Sequence, residues 1–92
     1  MVTAIILLNV QNDRINEVAQ TLVQFDGVSE VYSVAGQVDL VAIVRCSGEE
    51  QIASLVTEKM LTAEGIISSE TLIAFRAFSQ HDLERMFSVG MD

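Results

Sequence analysis

The stretch VSEVYSVAGQVDLVAIVRC, residues 28–46, decides the fold. Two β-rich runs flank a break at Gly36-Gln37. Val31, Tyr32, Val34 and Ala35 precede it, and Val38, Leu40, Val41, Ala42, Ile43 and Val44 follow it. Such runs around a short glycine-containing link predict an antiparallel hairpin. The second arm is apolar on both sides: Val38, Leu40, Ala42 and Val44 alternate with Val41 and Ile43. A strand with one wet face alternates apolar and polar residues, so this one is expected to be covered on both faces. Asp39 stands at its head. A carboxylate there must turn outward, accept hydrogen bonds or pair with a cation.

Val2–Val10, VTAIILLNV, reads as a second strand of the same kind, with Asn9 its only strongly polar member. Asn12 or Asp13 is placed to cap a following helix, with Ile15, Val18, Ala19, Leu22 and Val23 on its apolar face. Phe25-Asp26-Gly27 ends that helix and turns the chain, Gly27 supplying positive φ. Beyond the hairpin, Ser47-Gly48-Glu49-Glu50 has the form of a capping box. The helix it opens carries Ile52, Leu55, Val56 and Met60 on one face, and Gly65 follows its last turn. Residues 66–78 alternate as a fourth strand, with Ile67, Ser69, Thr71, Ile73, Phe75 and Ala77 facing opposite to Ile66, Ser68, Glu70, Leu72, Ala74, Arg76 and Phe78. In the tail, residues 79–92, Ser79 is placed to cap a short helix bearing Leu83, Met86 and Phe87.

The order β-α-β-β-α-β belongs to the ferredoxin-like α+β sandwich: a four-stranded antiparallel sheet with two helices on one face. Right-handed crossovers place both helices on the same side. Two helices cannot cover two faces, yet strands 1 and 3 are apolar on both. The most economical cover for the second face is the same face of another copy, so a sheet-to-sheet dimer is expected, with the tail packing over its partner. Composition agrees. Half of the 92 residues are hydrophobic and a fifth are charged, a high apolar load for a single domain spanning residues 1–92.

Charge excludes some partners. Thirteen acids against five bases give a net charge of −8, and Arg14, Arg45, Lys59, Arg76 and Arg85 are scattered. No basic stripe exists to neutralise phosphates, so direct nucleic-acid binding and anionic membrane surfaces are disfavoured. The runs AIILL and LVAIV are too short to span a bilayer. No basic segment precedes the first strand, so no signal peptide is expected. The single Cys46 cannot form an internal disulfide, which fits a reducing cytoplasm; it reads as a small apolar residue.

The catalytic inventory is thin. His81 is the only histidine and lies in the tail; no nucleophile–histidine–acid set or metal-ligand spacing can be assembled, and no cofactor is expected. The five glycines are isolated, so no phosphate loop is present. Two features remain. In Gly36-x-x-Asp39-Leu40, backbone N–H groups around a glycine turn can hold a carboxylate and Asp39 can hold an ammonium, which together grip a free amino acid. The same residues also suit a hairpin turn whose aspartate accepts local backbone hydrogen bonds. Ser68-Ser69-Glu70-Thr71 is either a solvated sheet edge or a rim of hydroxyls for a small polar ligand.

The pattern V-x-x-V-x-x-V-x-G-x-x-D-L over residues 28–40, followed by E-G-I-x-x-S-x-T over residues 64–71, resembles the ligand-sensing (RAM) domain of the Lrp/AsnC feast/famine regulators. The resemblance runs from Val2 to about Phe78. It implies the same fold and sheet-to-sheet dimers, reached above from the residues. It further implies rings of dimers, commonly octamers, with an amino acid bound between dimers. By position Val34, Ala35, Gly36, Asp39 and Leu40 match the ligand loop; Ser69, where threonine is frequent, and Thr71 match the strand hydroxyls. Family regulators carry an N-terminal helix-turn-helix, whereas this sequence starts at its first sensing strand. The expectation is a stand-alone, non-enzymatic, cytoplasmic sensing and oligomerisation module for amino-acid metabolism that reaches DNA only through full-length regulators. The alternative is a small dimeric α+β-barrel enzyme of the monooxygenase or isomerase type, and a third is a purely structural oligomerisation domain.

Overall fold

The computed structural model describes residues 1–80. The elements are β1 (Val2–Val10), α1 (Ile15–Val23), β2 (Val28–Ser33), β3 (Leu40–Cys46), α2 (Glu49–Ser54) and β4 (Ile66–Ile73). The strands form one antiparallel sheet in the order β2-β3-β1-β4. This is the α+β sandwich expected from the element order. The expected tail helix with Leu83, Met86 and Phe87, and also His81, lie outside the described residues.

The central strands show why two-faced apolarity matters. Ala4, Ile6, Leu8 and Val10 of β1 and Leu40, Ala42 and Val44 of β3 are buried, and the register sets Leu8 against Leu40, Ile6 against Ala42 and Ala4 against Val44. Val18 and Leu22 of α1, with Ile52, Leu55, Val56 and Met60 of the second helical segment, close over that same face in one core. Both helices therefore lie on one side. Among the described residues no polar or charged side chain is buried. Truncating a fully buried Ile6 or Leu8 to alanine would cost about 2–5 kcal/mol.

The opposite face has no cover within the chain. Its rows run Tyr32, Val41, Leu7, Glu70 and Glu30, Ile43, Ile5, Leu72 across the four strands. The centre is aliphatic and the ends carry the polar groups. At the β2 end the Tyr32 hydroxyl donates to a Glu30 carboxylate oxygen. That hydrogen bond and the negative charge of Glu30 raise the Tyr32 pKa above its ordinary value.

Several local expectations are corrected. The hairpin link is the whole of residues 34–39, not a tight turn at Gly36-Gln37, so Val34, Ala35 and Val38 leave the ladder. Its closing hydrogen bond, from Val34 N–H to the Asp39 carbonyl at 3.0 Å, joins residues too far apart for a two-residue turn. Neither Asn12 nor Asp13 caps α1 through its side chain. A 3₁₀ turn, Asn12–Arg14, leads in, held by Arg14 N–H on the Gln11 carbonyl at 2.9 Å. Val23, on the last turn, is 47% exposed because the helix face that meets the sheet ends with Leu22.

Ser47 makes no cap bond either, since α2 starts one residue later, with Gly48 at the cap. The helix then continues as a π-turn, Leu55–Lys59, and a 3₁₀ turn, Met60–Thr62. The wider turn keeps Leu55, Val56 and Met60 all in the core. Finally, β4 stops at Ile73 and carries a bulge opposite Asn9/Val10. The extra residue shifts the alternation, so Ile66 sits opposite Val10 and packs on the core, instead of sharing the face of Ser68.

Candidate functional site

Asp39 organises the loop end of the sheet. Regular β1–β3 pairing stops at Leu8 opposite Leu40, leaving the end of β1 without a backbone partner on the β3 side. Asp39 fills that place twice. Its N–H donates to the Leu8 carbonyl at 2.9 Å, and its carboxylate Oδ2 accepts the Val10 N–H at 2.9 Å. This explains a half-buried carboxylate at the head of an apolar strand: it stands in for the carbonyl that the ladder lacks. Among the described residues the other carboxylate oxygen, Oδ1, accepts no hydrogen bond.

Val34, Ala35 and Gly36 are exposed beside it. Gly36 has φ +153°, and a Cβ there would meet nothing within 4 Å, so glycine is required by the backbone and not by crowding. Leu40 is different, because its side chain is wholly buried in the core. Only its main chain can serve a ligand in the loop.

The β4 hydroxyls come to the same end of the sheet by another route. Ser69 pairs with Leu8 and Thr71 with Ile6, so both point to the helical side of an edge strand that the helices do not reach, and both are exposed. One strand, β1, separates them from the loop. With strands ~4.8 Å apart, Ser69 and Leu40 stand about 10 Å from one another across the sheet. The structure thus brings Val34, Ala35, Gly36 and Asp39 together and leaves Ser69 and Thr71 one strand removed.

Two features near this end were not read from the sequence. The Asn9 amide Nδ2 donates to Ser68 Oγ at 3.1 Å on the uncovered face; the lone polar residue in β1 was the signal for it. A groove of about 530 Å³ lies between Ser33, just before the loop, and Asn12, Asp13, Ile15, Asn16 and Glu17. A second groove, of about 380 Å³, lies at the other end of the sheet between Asp26, Cys46 and the π-turn. It is remote from the loop residues.

The second sequence motif has a structural cause. Gly65 has φ +103°, and a Cβ there would meet Arg14 Cβ, Arg14 Cδ and Val18 Cγ2 at 3.1 Å. Its carbonyl accepts the Gln11 N–H at 2.8 Å. Glu64 beside it forms an ion pair with Arg14 at 3.3 Å. The Glu64-Gly65-Ile66 run therefore locks the start of β4 against α1.

The family profile of the Lrp/AsnC ligand binding domain matches residues 3–83. The chain belongs to this family. Among solved structures of the Lrp/AsnC fold, TTHA0845 from Thermus thermophilus is 39% identical with a TM-score of 0.81, the match covering 87% of this chain and 100% of that one. Among curated relatives, the uncharacterized HTH-type transcriptional regulator YugG of Bacillus subtilis is 30% identical over 99% of this chain and 55% of its own length. The uncharacterized HTH-type regulator PH1916 of Pyrococcus horikoshii is 37% identical over 64% of this chain and 39% of its own length. The chain thus spans only about two fifths to just over half of these curated relatives. Two more distant structures share the fold: a complex of NMB0573 from Neisseria meningitidis with L-Met, and a feast or famine regulatory protein from M. tuberculosis complexed with L-methionine, at 12% and 20% identity.

Proposed function

We propose that this chain is a non-enzymatic amino-acid-sensing and oligomerisation module that works in transcriptional regulation of amino-acid metabolism. The observation that carries the reading is the Lrp/AsnC ligand binding domain match over residues 3–83, with the loop of that domain standing open beside Asp39. The effector's carboxylate is taken by backbone N–H groups around Gly36, and its ammonium by the Asp39 carboxylate, whose Oδ1 is uncommitted among the described residues. Ser69 and Thr71 serve a neighbouring molecule's ligand or the far end of the same one. The L-methionine complexes of two distant relatives support an amino acid as the effector class.

The uncovered sheet face supports the assembly. Ile5, Leu7, Val41 and Ile43 form an aliphatic centre rimmed by Tyr32, Glu30 and Glu70, the arrangement of an interface core with a polar rim. Two copies close these faces together, and dimers associate further into a ring. The single domain of residues 1–92 acts in the cytoplasm, and full-length HTH-type regulators are its natural partners. Among the described residues no helix is long and apolar enough to cross a membrane. The test is calorimetric titration of the twenty amino acids into the oligomer, with light scattering alongside. Binding of at least one amino acid by a particle larger than a dimer is the expected result. A folded monomer that binds none of them refutes it.

A further inference from the structure

Past Ile73 the chain keeps one more ladder bond, from Ala74 N–H to the Thr3 carbonyl at 2.9 Å, and then leaves the sheet. The arm that follows exposes its aromatics almost completely: Phe75 is 98% and Phe78 81% exposed. Its cation, Arg76, makes no ion pair among the described residues. At the opposite side of the sheet, β2 pairs only with β3, so its outer backbone edge is open. That edge carries Glu30 and Tyr32 on the uncovered face, bonded to each other and to no cation among the described residues.

The two edges match. Continuing the β4 alternation beyond Leu72 puts Arg76 and Phe78 on the uncovered side, two residues apart, as Glu30 and Tyr32 are. We propose that residues 74–78 of one copy add as a strand to the outer edge of β2 of a second copy, with Arg76 on the partner's Glu30 and Phe78 on the partner's Tyr32. Long side chains reach both the directly opposite and the diagonal neighbour, so the pairs form whichever way the strands run. The partner is a second copy because the exposed aromatics border the same face that the dimer closes, and because each copy supplies one arm and one edge. Two-fold symmetry then makes the contact twice and covers both open edges. The inference rests on the sheet-to-sheet dimer of the proposed function and adds what holds its rim.

Charge reversal tests it. Arg76→Glu and Glu30→Arg are each expected to raise the dimer dissociation constant about tenfold or more, since like charges meet at two symmetric sites. Mixing the two variants in equal amounts should restore a heterodimer of wild-type affinity, because every arm then meets an opposite charge. Phe78→Ser, exposed in the single chain, should weaken association without lowering monomer helicity. The readouts are sedimentation velocity and circular dichroism on the full chain. Single variants that dimerise like wild type, or a mixture as weak as its components, overturn the arm exchange. A wild-type protein that is itself monomeric overturns the dimer on which it rests.

Discussion

Asp39 separates the fold from the ligand more cleanly than any other residue, because two substitutions act on different roles. Its Oδ2 accepts the Val10 N–H at 2.9 Å in a half-buried setting. Asp39→Ala removes the acceptor and leaves that N–H without a partner. Losing a hydrogen bond to a charged group costs about 1.5–3 kcal/mol. For a domain of this size each kcal/mol lowers Tm by about 4–8 °C, so a fall of roughly 6–24 °C is expected. Asp39→Asn keeps a side-chain oxygen for the Val10 N–H and should cost well under half as much. The same change deletes the charge that meets an effector's ammonium, which should weaken binding about ten- to a hundredfold. Thermal melts at one fixed protein concentration measure the first effect, since association also shifts Tm. Calorimetric titration of whichever amino acid binds the wild type measures the second. If Asp39→Asn binds that amino acid as tightly as wild type, the ammonium role is wrong. If Asp39→Asn melts as low as Asp39→Ala, the hydrogen bond to Val10 is not what Asp39 contributes.

Other outcomes follow from the same structure. Ile43→Asp puts a charge at the centre of the uncovered face, opposite Ile5, and should abolish self-association as seen by light scattering, with soluble aggregate or unfolded chain as the product. Gly65→Ala should lower stability by about 1–3 kcal/mol in urea unfolding, because φ is +103° and the methyl meets Arg14 and Val18 at 3.1 Å. Tyr32 is the only tyrosine, so its ionisation can be followed by absorbance. With its pKa raised above the ordinary 10.0 by the Glu30 hydrogen bond and charge, the midpoint should lie above 10.0 and fall in Glu30→Gln. Because the folded value is the higher one, any stability this contact contributes is present below the unfolded pKa. It is lost as pH rises through the folded pKa.

The sequence by itself determined the elements and their layers. Period-two apolarity in β1 and β3, and helical spacing in Val18, Leu22, Ile52, Leu55, Val56 and Met60, are local properties, and the core contains these residues. The element order then limits the sheet to few topologies, and the observed β2-β3-β1-β4 is one of them. That β1 and β3 need cover on both faces was also legible, because alternation assigns each side chain to a face. What only the tertiary structure decided is where ladders end. The loop over residues 34–39, the bulge opposite Asn9/Val10 and the stop at Ile73 depend on which backbone groups find partners on another strand. No window of neighbouring residues contains that information. The role of Asp39 shows it best, since its partner is 29 positions away in the chain. Nearby residues suggested a turn or a ligand; the sheet made the same carboxylate the cap of β1, through one of its two oxygens.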